Sequence, residues 1–126
     1  MNILTIEQAE EMGLNGDIFD LYYEAAEEDE NPRIIEATAQ ELADMGAGTL
    51  CGSDQQDPFK HVAAIYPGLK VRTCLIDRYD GIVAGCCDIE VESQEQADKV
   101  SELVSDGGGS LRNDFCAPGW AYFETE

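Results

Sequence analysis

Cys51 and His61 are the pair whose side chains could act on a bond. Cys51 lies in the small-residue stretch Thr-Leu-Cys-Gly-Ser, and the chain's single histidine follows ten residues later. A thiol nucleophile needs a base to activate it and an oxyanion site to exploit it, and glycines in such a loop can offer backbone N–H groups. The surrounding acids work against this pair, because a negative field raises a thiol pKa. Carboxylate pairs suited to glycosidic bonds arise by chance among 27 acids, and a single Trp gives little for a sugar cleft. Asp54 with Asp57, and Asp77 with Asp80 and Gly81, are fragments of acidic loops. Neither has the glycine and the terminal glutamate of a twelve-residue calcium loop. Gly107-Gly108-Gly109 follows a helical pattern and no lysine comes after it, which excludes a P-loop. The five cysteines, Cys51, Cys74, Cys86, Cys87 and Cys116, form no Cys-x-x-Cys pair. Their odd number argues against a secreted disulfide framework. Cys86 and Cys87 read as small buried hydrophobes. No catalytic residue, metal or cofactor is expected. A small enzyme built on Cys51 and His61 stays as the last alternative.

The acids themselves are the stronger signal. The net charge is −20, from 27 acids and 7 bases. Residues 1–57 hold 15 acids and one base, Arg33, for −14; residues 58–126 hold 12 acids and 6 bases, for −6. A general solubility adaptation would acidify both parts alike. So large an excess repels DNA, RNA and anionic membranes, so direct binding to any of them is not expected. Asp17, Asp20, Glu24, Glu27 and Glu28 recur three or four residues apart, which places them in a line on one helix face, running on into Asp29 and Glu30. Charges four residues apart stand about 6 Å apart along a helix axis, comparable with neighbouring phosphates on one strand of a duplex. Like charges at this spacing cost a few tenths of a kcal/mol per pair. A basic groove on a partner would offset that cost through steering and charge-assisted contacts. Tyr22 and Tyr23 are adjacent, so both cannot face the core, and Tyr23 is the candidate anchor beside the acids. The expected partner-binding residues are therefore Asp17, Asp20, Tyr23, Glu24, Glu27, Glu28, Asp29 and Glu30.

The elements that must position this line can be read in order. Thr5 with Gln8 makes a capping-box pattern and Gly13 a stop, predicting a helix over 6–12. Asn15-Gly16 is a turn, Asp17 a cap, and Ile18, Leu21, Tyr22 and Ala25 give helical spacing over 18–29. Asn31-Pro32 reads as the start of a third helix, with Ile35, Thr38, Leu42 and Met45 as its buried stripe and Gly46 as its end. Residues 46–57 read as a loop and 58–66 as a short helix broken by Pro67-Gly68. The period then changes to two. Val71, Thr73 and Leu75 alternate on one strand, Asp80-Gly81 turns the chain, and the returning strand sends Cys87, Ile89 and Val91 inward and Asp88, Glu90 and Glu92 outward. Ser93 and Gln96 open a helix over 94–105 that buries Ala97, Val100, Leu103 and Val104. A strand over 120–124 completes three strands with the helix on one face. The predicted class is α+β: acidic N-terminal helices, then a β-β-α-β unit with a small antiparallel sheet. One domain is expected over 1–126, with an acidic helical part (1–57) and the β-β-α-β part (58–126).

In size, charge and the acidic line of 17–30, the chain resembles the small acidic proteins that phages and mobile elements use against bacterial defences. Some of these anti-CRISPR and anti-restriction proteins imitate nucleic acid and block a basic channel. The resemblance implies a binding inhibitor acting in the host cytoplasm on a basic nucleic-acid-binding site of a protein or nucleoprotein complex. A first alternative is an acidic immunity or adaptor protein that neutralises one basic protein partner. The N-terminus, without a basic region, reads as neither signal nor transit peptide, so a soluble cytoplasmic protein is expected. A homodimer through the sheet edge or the helical face stays open.

Overall fold

The computed structural model describes residues 1–48, 58–78, 81–106, 114–116 and 120–123. In chain order the elements are β1 (Asn2–Leu4), α1 (Ile6–Glu11), α2 (Gly16–Glu27), β2 (Arg33–Thr38), α3 (Ala39–Asp44), α4 (Pro58–Ile65), β3 (Lys70–Arg78), β4 (Gly81–Glu90), α5 (Gln94–Asp106), β5 (Asp114–Cys116) and β6 (Trp120–Phe123). The strands form one antiparallel sheet in the order β1-β2-β3-β4-β6-β5. The fold is α+β. Helices and strands interleave, however, where the sequence suggested helices first and a β-β-α-β unit after, and the sheet has six strands rather than three.

The third predicted helix is the main correction. Its first half is β2. Ile34 and Ile35 are adjacent and both buried, which is helical crowding but natural for a strand covered on both faces. Ile34 joins the core under α1 and α2, while Ile35 joins the core under α3, α4 and α5. The helix starts only at Ala39, where Thr38 accepts from the Glu41 N–H at 3.2 Å and Glu41 accepts back from the Thr38 N–H at 3.1 Å. The sequence signal for this boundary is Thr38-x-x-Glu41, a capping box.

Helices therefore cover both faces of the sheet. This also corrects the expectation that Asp88 points to solvent: it is 7% exposed, beneath the start of α2. Glu90 and Glu92 are exposed, as read from the sequence, and Cys87, Ile89 and Val91 are buried.

A bulge lets β4 serve both cores. Thr73 pairs Cys87 and Leu75 pairs Ala84, so Gly85 and Cys86 together oppose Cys74. Ala84 and Cys87 then share one face although they are an odd number of residues apart. The Thr73 hydroxyl lies 2.7 Å from the Gly85 carbonyl and 3.0 Å from that of Cys86, holding the bulge. Gly85 also admits α2: a Cβ there would lie 1.7 Å from Leu21 Cδ2.

Candidate functional site

The acidic line lies on α2 and in the turn that leaves it. Asn15, not Asp17, caps the helix: its Oδ1 accepts from the Asp17 N–H at 2.9 Å. Ile18 and Ala25 are buried against the sheet, with Leu21 and Tyr22 packed beside them. The opposite side is left to Asp20, Tyr23, Glu24, Glu27 and Glu28, all exposed, while Asp17 is half-buried. Tyr22 packs on the core and Tyr23 crosses it edge to face at 5.5 Å, with Tyr23 54% exposed. Tyr23 stands three residues after Asp20 and four before Glu27, so it borders both.

The end of α2 is a Schellman turn. The Glu30 N–H donates to the Ala25 carbonyl at 3.0 Å and the Asp29 N–H to that of Ala26 at 3.3 Å. Asp29 occupies the left-handed position with φ 55°, where glycine is usual. Asn31 follows with φ 49°. The chain is clamped there to the end of β3. The Asp77 N–H donates to the Glu30 carbonyl at 2.8 Å. Arg78 pairs Glu30 at 2.9 Å, and Arg33 pairs Asp77 at 3.0 Å. The Asn31 amide, and then the Arg33 guanidinium, hold the Asp77 carboxyl below its ordinary value. Leu21, Glu24, Glu28, Glu30 and Arg78 line a recess of about 410 Å³ at this end.

The placement of these acids opposes the helix dipole. Only Asp17 lies in the first turn, where anions are favoured, and no basic residue lies in the last turn. Glu24, Glu27, Glu28, Asp29 and Glu30 all gather at the negative end. All eight sequence-predicted residues thus fall on α2 and its exit turn. Six of them, Asp20, Tyr23, Glu24, Glu27, Glu28 and Asp29, are exposed, while Asp17 and the Arg78-paired Glu30 are half-buried.

Reading the sequence missed the groups that hold α2 in place. Glu36, Arg72 and Asp88 are register neighbours across β2, β3 and β4. Arg72 Nε lies 2.8 Å from Glu36 Oε2, with both side chains largely buried. Asp88 Oδ2 accepts from the Asn15 N–H at 3.0 Å, one residue before α2 begins. Burial pushes the Asp88 carboxyl up; the Asn15 N–H, and then Arg72, oppose that shift. The alternating acid at position 88 was visible in the sequence, but not the helix that covers it.

The enzyme alternative names Cys51 and His61. His61 is exposed on α4 and Cys51 lies outside the described residues; so do Asp54, Asp57, Asp80 and Gly107-Gly108-Gly109. Cys74, Cys86 and Cys87 are buried thiols outside any disulfide. Burial pushes Cys74 and Cys87 up to about 12, so neither is a thiolate near neutrality. Among the described residues no three His, Cys, Asp or Glu side chains converge as metal ligands. No helix there is long and apolar enough to cross a membrane. No family model matches the chain, and no curated protein or solved structure matches it.

Proposed function

We propose that the protein is a binding inhibitor whose acidic α2 surface occupies a basic nucleic-acid-binding site on a partner complex in the cytoplasm. One observation carries the reading. Glu24, Glu27, Glu28 and Asp29 crowd the helix end that its dipole disfavours, at roughly 0.3–1 kcal/mol for each exposed charge, with no base in the last turn and with Arg78, across from that end, paired with Glu30. A local arrangement that works against its own helix points to a use outside the fold. Tyr23 stands exposed among those acids.

The test is the triple variant Asp20→Lys, Glu24→Lys and Glu27→Lys. All three side chains are exposed, so the fold should survive. A target is first captured from a nuclease-treated bacterial lysate at low salt and released at high salt. The wild type should then compete with a DNA or RNA duplex for that target, and the triple variant should lose competition by at least about a hundredfold, or roughly 1 kcal/mol per reversed charge. Competition by the variant equal to wild type would reduce the acidic line to a solvated face.

The second reading is an acidic adaptor that neutralises a basic protein with no nucleic-acid site. The exposed Tyr23 ring favours it, because a phosphate-like surface has no need of an aromatic group. Capture that the triple variant abolishes, but that duplex DNA or RNA never displaces, selects this reading.

A further inference from the structure

A second surface lies across the sheet from α2. The turn after α4, the end of β4 and the outer side of α5 enclose two adjoining recesses of about 650 Å³ and 370 Å³, joined through Tyr66, Glu92 and Gln96. Tyr66 supplies the apolar floor, above the buried Leu69 and Val91. Tyr66 is half-buried on the larger core, and Ile65 beside it in the chain is 54% exposed. The wall is acidic. Glu95, Asp98 and Glu102 fall three and four residues apart on α5, with Glu92 ahead of them. The two lysines of the groove already face carboxylates, Lys70 to Glu90 at 3.9 Å and Lys99 to Glu102 at 3.8 Å.

We propose that this groove docks a lysine- or arginine-bearing segment of a partner protein, with one apolar side chain of that segment seated on Tyr66. Charge complementarity selects the occupant. The five carboxylates of the wall exceed the two ammonium groups, and a second copy of a chain of net charge −20 brings repulsion to the same place. The apolar floor distinguishes this surface from α2, since a polyanion-binding channel would not fill it. The inference goes beyond the α2 reading and does not depend on it.

The experiment is an amide-shift titration of the full chain with a short synthetic peptide alternating lysine and glycine around one central tryptophan. The same peptide with glycine at the centre is the comparison. The tryptophan peptide should shift amides of 66–70 and 90–102 and bind about tenfold more tightly than its glycine counterpart. Tyr66→Ala, checked for an unchanged amide spectrum elsewhere, should erase that difference. Glu95→Gln with Glu102→Gln should flatten the salt dependence. The triple reversal on α2 should leave all of this unchanged, so failure here and failure of the α2 reading are told apart. The proposal falls if both peptides bind equally, if the shifts spread over α2 and α5 alike, or if Tyr66→Ala changes nothing. It also falls if ultracentrifugation shows a dimer that Tyr66→Ala dissolves, which would assign the groove to a second copy.

Discussion

The two faces of the sheet are built differently. Under α3, α4 and α5, twenty of the described residues form a buried core that includes Phe59, Leu42 and Val62. Under α1 and α2, eight do. The thinner layer is supplemented by polar contacts: the Glu36–Arg72 pair, Asp88 on the Asn15 N–H, and the clamp of Glu30 and Asp77 with Arg78 and Arg33. The larger core stabilises the domain, and the smaller one positions the acidic helix. If α2 is the binding surface proposed, it is carried by the layer with the smaller core, which is the layer expected to open first.

The largest effects should separate the two layers. Phe59 is 2% exposed in the larger core, and Phe59→Ala should cost about 3–5 kcal/mol and lower hydrogen-exchange protection throughout. Ile18 is fully buried in the smaller core, and Ile18→Ala should cost about 2–4 kcal/mol. Its loss of protection should concentrate in α1 and α2 while β3 and β4 stay protected. Uniform loss in both variants would show one cooperative unit and remove the distinction.

Arg72→Met probes the polar part of the thinner layer. It leaves Glu36 and Asp88 without their guanidinium neighbour on a largely buried row. Truncating one partner of a buried pair leaves an uncompensated charge, so a loss of about 2 kcal/mol is expected by urea unfolding. Glu36→Gln made together with Arg72→Met should recover part of it. Additive losses would mean that Arg72 acts through its stem and not its charge.

The contrast between the layers explains what could be read from the chain alone. The helix of 94–105 and its buried Ala97, Val100, Leu103 and Val104 were legible, because an amphipathic helix over one dry core follows the 3.6 period. So were the β3–β4 pair and the capping box of Thr5 and Gln8. β2 was not, because a strand covered on both faces loses its alternation and Ile34-Ile35 then fits either period. β1 and β5, three residues each, are too short for any period. The acidic line was legible since it needs only helical spacing. Its bracing was not, since Glu36, Arg72 and Asp88 are brought together only by sheet register, and Asp29 in a left-handed turn follows no spacing rule.

Asp88 gives the layer a pH dependence of its own. Its folded pKa is raised above the unfolded value of about 3.9. Between those values the native state binds more protons than the unfolded chain, so this carboxyl's contribution grows as pH falls and is lost as pH rises through the folded pKa. Asp77 has the opposite sign: its folded pKa is depressed, so its contribution is present at neutrality and lost in acid. Comparing Asp88→Asn with wild type cancels Asp77 and the general charge repulsion. Urea midpoints from pH 7 to pH 4 should shift in favour of the wild type as the pH drops. A shift the other way would mean that the hydrogen bond to Asn15 outweighs burial.

The smallest effect tests whether the acidic surface is retained against the interest of the helix beneath it. Asp29 holds φ 55° as the left-handed residue of the Schellman turn. A non-glycine residue costs roughly 1–2 kcal/mol there, and its carboxylate adds an unfavourable charge at the helix C-terminus, about 0.3–1 kcal/mol when exposed. Glycine removes both, at about 0.5–1 kcal/mol of extra chain entropy in the unfolded state. Asp29→Gly should therefore stabilise the domain by about 1 kcal/mol in thermal or urea unfolding. Because Asp29 is one carboxylate of several at this end, the variant should weaken partner capture only slightly, by about twofold to fivefold. A gain in stability with a loss in capture fits a surface shaped for a partner. A gain with unchanged capture would place Asp29 outside the interface and confine that interface to the exposed side of α2 itself.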